Sequence, residues 1–216
     1  VQARRGAQFL DETPISVAPA DTPHERPWLE LAGDDPWGRA LRQPDMSRLV
    51  RALKRRKFAE VTQWIEQWQA EFEADPRQEH WPAIALDAFA IVDPRLDPLL
   101  DEWVAASPSS WAPLVARGTY RMARAWEARG HSYATGTNAD QFALMARWLA
   151  RAKEDLVAAL VMHPAAVIAH RRLIAIGITE SEDDAVEDHY AAATSKCPTC
   201  AGPHFDYARG LKPRWG

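Results

Sequence analysis

The sequence predicts an all-α protein: helical hairpins stacked in a short solenoid, preceded by an extended proline-rich arm. Three observations carry that expectation. From Asp45 onward, apolar residues recur at i, i+3, i+4 and i+7, the spacing of one helix face. Asp75-Pro76, Asp93-Pro94, Ser107-Pro108 and His163-Pro164 interrupt the pattern, and because a residue before proline is pushed out of the helical region, each dipeptide reads as a helix end. Before residue 45 the periodicity is absent, and prolines at 14, 19, 23, 27, 36 and 44 remove backbone donors.

The interruptions are themselves periodic. Pro76 and Pro108 stand 32 residues apart, Pro164 and Pro198 stand 34 apart, and Pro108 and Pro164 stand 56 apart, 22 more than one such step. Spacing near 34 marks tetratricopeptide-like hairpins, none of which buries its apolar face alone. The surplus falls in the hairpin between Pro108 and Pro164 and lengthens its helices and loop. The expected organisation is an extended arm over residues 1–44 and a helical-repeat domain over residues 45–216.

In the arm, Phe9, Trp28, Leu29, Leu31 and Trp37 are expected to pin the chain to the helical body. The first helix buries Met46, Leu49, Val50 and Leu53 and leaves Arg51, Lys54, Arg55, Arg56 and Lys57 on a solvated face, with phosphate binding as the alternative. A second helix over 58–74 buries Phe58, Val61, Trp64 or Ile65, Trp68 and Phe72, and residues 81–93 and 96–107 supply two more. In the central hairpin Ser109 or Ser110 caps the first helix, Trp111, Leu114, Val115, Gly118, Met122, Ala125 and Trp126 form its stripe, Gly118 permits close approach of another helix, and Gly130 ends it. Asn138 with Gln141 matches a capping box, and Phe142, Met145, Leu149, Ala152, Leu156 and Leu160 keep helical spacing beyond it. Residues 165–178 read as a helix ended by Gly177. Thr179 with Glu182 opens the next, and residues from Pro203 open a last helix whose apolar face has nothing after it to cover it.

The combination of Ser107-Pro108-Ser109, Tyr120, Ala125-Trp126, Arg129-Gly130, Phe142, Ala152, Leu156 and the terminal Pro213-Arg214-Trp215-Gly216 resembles an uncharacterised bacterial family of tetratricopeptide-like proteins of unknown function. The resemblance covers roughly residues 45–216. It implies an all-helical fold and carries over no catalytic residue, substrate or cofactor.

Composition narrows the function. The net charge of −4 is spread along the chain, which disfavours a nucleic-acid partner, and no apolar run approaches the roughly 18 residues needed to span a bilayer. Two cysteines argue against a disulfide scaffold and point to a reducing cytoplasm, while the first residue, Val1, leaves room for a removed signal and a periplasmic location. Arg117, Arg121 and Arg124 recur on one helical face and, with Arg129, His131 and Tyr133 of the adjoining loop, make a candidate concave ridge for a carboxylate or an acidic partner segment. Acidic residues Glu180, Glu182, Asp183 and Asp184 suit the first turn of a helix. Cys197 and Cys200 with His204, and His189 as a fourth ligand to consider, have spacings that suit tetrahedral zinc, against an ordinary inter-helix turn, a disulfide or a redox pair. No Gly-rich phosphate loop, His-Glu-x-x-His or nucleophile elbow is present. The expected function is a protein-binding or scaffolding module with a protein or peptide partner, no cofactor and no catalysis of its own. A toxin-neutralising or secretion-associated protein, and a zinc or thiol site at Cys-x-x-Cys, are the alternatives.

Overall fold

The protein is described as a computed structural model over residues 26–34, 40–130 and 134–212. Within them the chain is mostly helical: nine α-helices follow one antiparallel hairpin of two strands. The hairpin, β1 (Trp28–Asp34) and β2 (Ala40–Pro44), occupies the expected arm. Side chains alternate across a strand, so Trp28 turns inward against Trp68 and Trp81, with ring centroids 5.5 and 4.9 Å away. Leu29 and Leu31 turn outward, 45% and 41% exposed. Of the five expected anchors Trp28 alone is seen to serve, and Phe9 and Trp37 lie outside the described residues. Arg42 of β2 lies over the Trp28 ring of β1 at 4.2 Å and 5.6 Å from the ring centroid of Trp81, and the second contact joins the hairpin to the helices.

Helix α1 (Met46–Lys54) starts at Asp45, whose carboxylate accepts the Arg48 N–H, and α2 (Phe58–Ala74) buries Val61, Trp64, Ile65, Trp68 and Phe72 as the stripe requires. Helix α3 (His80–Asp87) stops six residues short of Asp93. The apolar run after it is periodic enough to continue a helix, but Phe89 leaves the helix to bury its ring 5.5 Å from that of Trp103. Tertiary packing overrides local pattern there. Helix α4 (Leu96–Ala106) buries Leu96, Leu100 and Trp103, and the Trp103 indole N–H donates to Thr62 Oγ1 at 2.8 Å.

Helices α5 (Ala112–Arg129) and α6 (Ala139–Met162) form the long central hairpin. Ser110 accepts the Ala112 N–H, Gly130 ends α5 at φ 77°, and Asn138 with Gln141 closes both halves of a capping box. A Cβ on Gly118 would stand 2.9 Å from Leu156 Cγ, so glycine sets the distance between the two helices. Helix α7 (Val167–Glu180) runs through Gly177 rather than ending there. That glycine serves close approach, since a Cβ would lie 2.7 Å from Val186 Cγ2 on α8 (Asp183–Lys196). The left-handed residue that ends α7 is Ser181, φ 58°. Thr179 bonds back to the Ala175 carbonyl instead of capping α8. Helix α9 (Ala201–Gly210) packs on α7 and α8.

Neighbouring helices pack in sequence from α4 to α9, while α3 also touches α1 and α5, and one core runs from α1 to α7. A smaller cluster of Phe72, Val167, Ala193, Cys197 and Cys200 ties α2 to the C-terminal helices.

Candidate functional site

The arginines of α5 fall at i, i+4 and i+7, on one face, yet the hairpin divides them. Arg117 and Arg121 point into the protein. Arg117 Nε and Nη2 donate to Asp155 Oδ2 and Oδ1 at 3.0 and 2.7 Å, and its Nη1 donates to Asp101 at 2.7 Å. Arg121 Nη1 donates to Asp155 Oδ2 at 2.6 Å and to the Arg151 carbonyl at 3.1 Å. The Arg121 and Asp155 side chains are 7% and 4% exposed. Burial presses the Arg121 guanidinium below its usual pKa while Asp155 pulls the other way, and an arginine stays protonated throughout. Two cations around one buried carboxylate form an internal clamp between α5 and α6. They do not form the exposed ridge the spacing suggested, because Asp155 interrupts the apolar face of α6 and draws them inward.

Arg124 and Arg129 behave differently. The Arg124 guanidinium lies 5.3 Å from the Trp148 ring centroid, Arg151 approaches the same ring at 5.2 Å, and Arg129 lies 5.8 Å from Trp126. Gln141 Nε2 donates to the Arg129 carbonyl at 3.1 Å and joins the end of α5 to the start of α6. Trp126 is 40% exposed and Phe142 41%. This end of the hairpin is therefore a surface of arginines and aromatic rings. His131 and Tyr133 belong to the loop beside it and lie outside the described residues. Spacing did not single out Trp148 and Arg151. Their signal was a tryptophan with arginines on either side of it, Arg147 and Arg151, in the first half of α6.

At the C-terminal end Cys197 and Cys200 are joined as a disulfide, both nearly fully buried. Cys197 closes α8 and Cys200 opens α9. In this bonded form neither sulfur is a thiolate, the state in which cysteine binds zinc. His204 shares a hydrogen bond of 2.8 Å with the Tyr190 hydroxyl and one of 3.2 Å with the Pro198 carbonyl. His189 pairs elsewhere, with its Nδ1 3.3 Å from Nδ1 of His170. Burial and the neighbouring His189 lower the His170 pKa to about 4, and burial lowers that of His189. Among the described residues no group of three or more His, Cys, Asp or Glu is placed to hold a metal ion. Glu180 and Glu182 both pair with Lys153. No helix among the described residues is long and apolar enough to cross a membrane.

A family model described as a domain of unknown function, DUF4034, matches residues 42–216. No curated protein and no solved structure matches the chain.

Proposed function

This chain belongs to the DUF4034 family, and we propose that it is a protein-binding module without catalytic activity of its own. In this reading its helical hairpins stack in the tetratricopeptide-like manner and present the free end of the α5–α6 hairpin to a protein or peptide partner. The observation that supports it is the pairing of two tryptophans with guanidinium groups at that end, Trp126 with Arg129 and Trp148 with Arg124 and Arg151. Tryptophan and arginine dominate the energetics of protein interfaces, because each offers a large, rigid contact that gains when water is excluded. The Arg117–Arg121–Asp155 clamp gives the hairpin a rigid base for this role.

The test is affinity capture from the native cell with wild type and a Trp126→Ala, Arg129→Glu variant. Both side chains lie at the surface end, so the variant is expected to melt with wild type while recovering its main partner roughly tenfold less well. An unchanged partner set would remove the hairpin end from the proposal.

A further inference from the structure

An open cleft of about 420 Å³ lies where the end of α1 meets the start of α4, lined by Lys54, Arg56, Arg95, Pro98, Leu99 and Glu102. Three cations and one carboxylate, Glu102, thus rim an apolar floor of Pro98 and Leu99, a net positive lining in a chain whose net charge is −4. Two of them are held in place by carboxylates through one edge of the guanidinium. Arg56 Nε and Nη2 donate to Glu102 at 2.7 and 3.1 Å, and Arg95 Nε and Nη2 donate to Asp93 at 2.9 and 3.0 Å. Lys54 Nζ also reaches Asp93, at 3.2 Å. The Arg95 guanidinium, opposed by burial and aided by Lys54, holds the Asp93 carboxyl well below the usual carboxylate range, so the brace stays charged at any ordinary pH. The remaining amino group of each arginine carries no bond to a described residue.

Arg56 also sits where its backbone disfavours it. The Lys57 N–H bonds the Ala52 carbonyl and the Arg56 N–H bonds the Leu53 carbonyl, the pattern of a helix end that places its next residue in the left-handed region. Glycine is the usual occupant of that position, yet Arg56 holds it at φ 55°.

We infer that this cleft is a binding site for an acidic peptide segment, one that sets glutamate or aspartate carboxylates against Arg56, Arg95 and Lys54 and a leucine-sized side chain on Pro98 and Leu99. The cleft is on a different part of the molecule from the hairpin end and stands independently of it. Its volume exceeds what one carboxylate fills, and its floor would be left wet by a free anion.

The inference is tested with a fluorescent peptide of repeated Glu-Glu-Leu and its Gln-Gln-Leu counterpart, titrated against the full chain. The acidic peptide is expected to bind saturably and less tightly as salt rises, and the neutral one to bind at least roughly tenfold more weakly. Arg56→Gly removes a cation and relaxes the backbone together. It is expected to weaken binding about fivefold while melting no lower than wild type, so lost binding cannot be ascribed to unfolding. Arg95→Glu with Lys54→Glu is expected to abolish binding. Equal binding of both peptides, full affinity in Arg56→Gly, or complete displacement by inorganic phosphate at the peptide's own concentration would each overturn the inference.

Discussion

Arg121 and Asp155 meet at 2.6 Å inside the α5–α6 hairpin, almost wholly excluded from water, with Arg117 bound to the same carboxylate. Removing one partner of a buried pair leaves an uncompensated charge, which costs more than the pair contributed. Asp155→Ala is therefore expected to lose about 3–5 kcal/mol in urea denaturation. Asp101 contacts the same arginines but is half exposed, and Asp101→Ala is expected to lose about 1 kcal/mol or less. Equal losses in the two variants would show that burial at Asp155 is not what makes the clamp costly to break.

The sequence made most helices legible because their ends carry chemistry that acts locally. Asp45, Gly130 and the Asn138–Gln141 box each perform the capping their residue types favour. Gly118 was legible as a point of close approach, whereas Gly177 was misread as a helix end because nothing local distinguishes a packing glycine from a capping one. The β1–β2 hairpin went unread because β1, Trp-Leu-Glu-Leu-Ala-Gly-Asp, carries no period of two: Trp28 is half-buried and every residue after it in the strand is exposed. The candidate site was legible only in part. Helical phase put three arginines on one face, but whether a face meets solvent or an aspartate depends on another helix, and Asp155 lies 38 residues beyond Arg117.

The His170–His189 pair makes stability depend on pH. His170 has a folded pKa of about 4, below the ordinary value of 6.5, because burial and His189 disfavour its charged form. The unfolded chain therefore binds more protons than the folded one across that window, so stability is complete above pH 6.5 and falls as pH drops towards 4. The groups that face the ring are His189, the Pro164 carbonyl and Lys196, with Asp188 and Lys153 acting on His189. A tenfold difference in proton affinity between the folded and unfolded chain is worth roughly 1.4 kcal/mol, so denaturation at about pH 7 and at about pH 4.5 should differ by about 2 kcal/mol. His170→Gln should flatten that difference, and an undiminished slope in the variant would assign it to other groups.

Reduction of Cys197–Cys200 should loosen α9 without unfolding the body. The bond closes a turn of four residues, so the chain-entropy model gives it only about 2 kcal/mol. Helix α9 has other anchors. Arg171 Nε donates to Asp206 at 2.7 Å, the Ala201 N–H donates to Glu79 at 3.0 Å, and Gly202 and Gly210 pack on Arg171 and Ile178. Both sulfurs, however, also fill the small cluster with Phe72 and Val167, so serine at both positions buries hydroxyls there as well as removing the bond. A reductant should lower the melting temperature by roughly 5 °C, and Cys197→Ser with Cys200→Ser by somewhat more. Alkylation of protein prepared without reductant should label neither cysteine, even after unfolding. Labelling of both in the unfolded chain, together with a melting temperature indifferent to reductant, would show the pair to be free thiols and return Cys197, Cys200 and His204 to consideration as metal ligands.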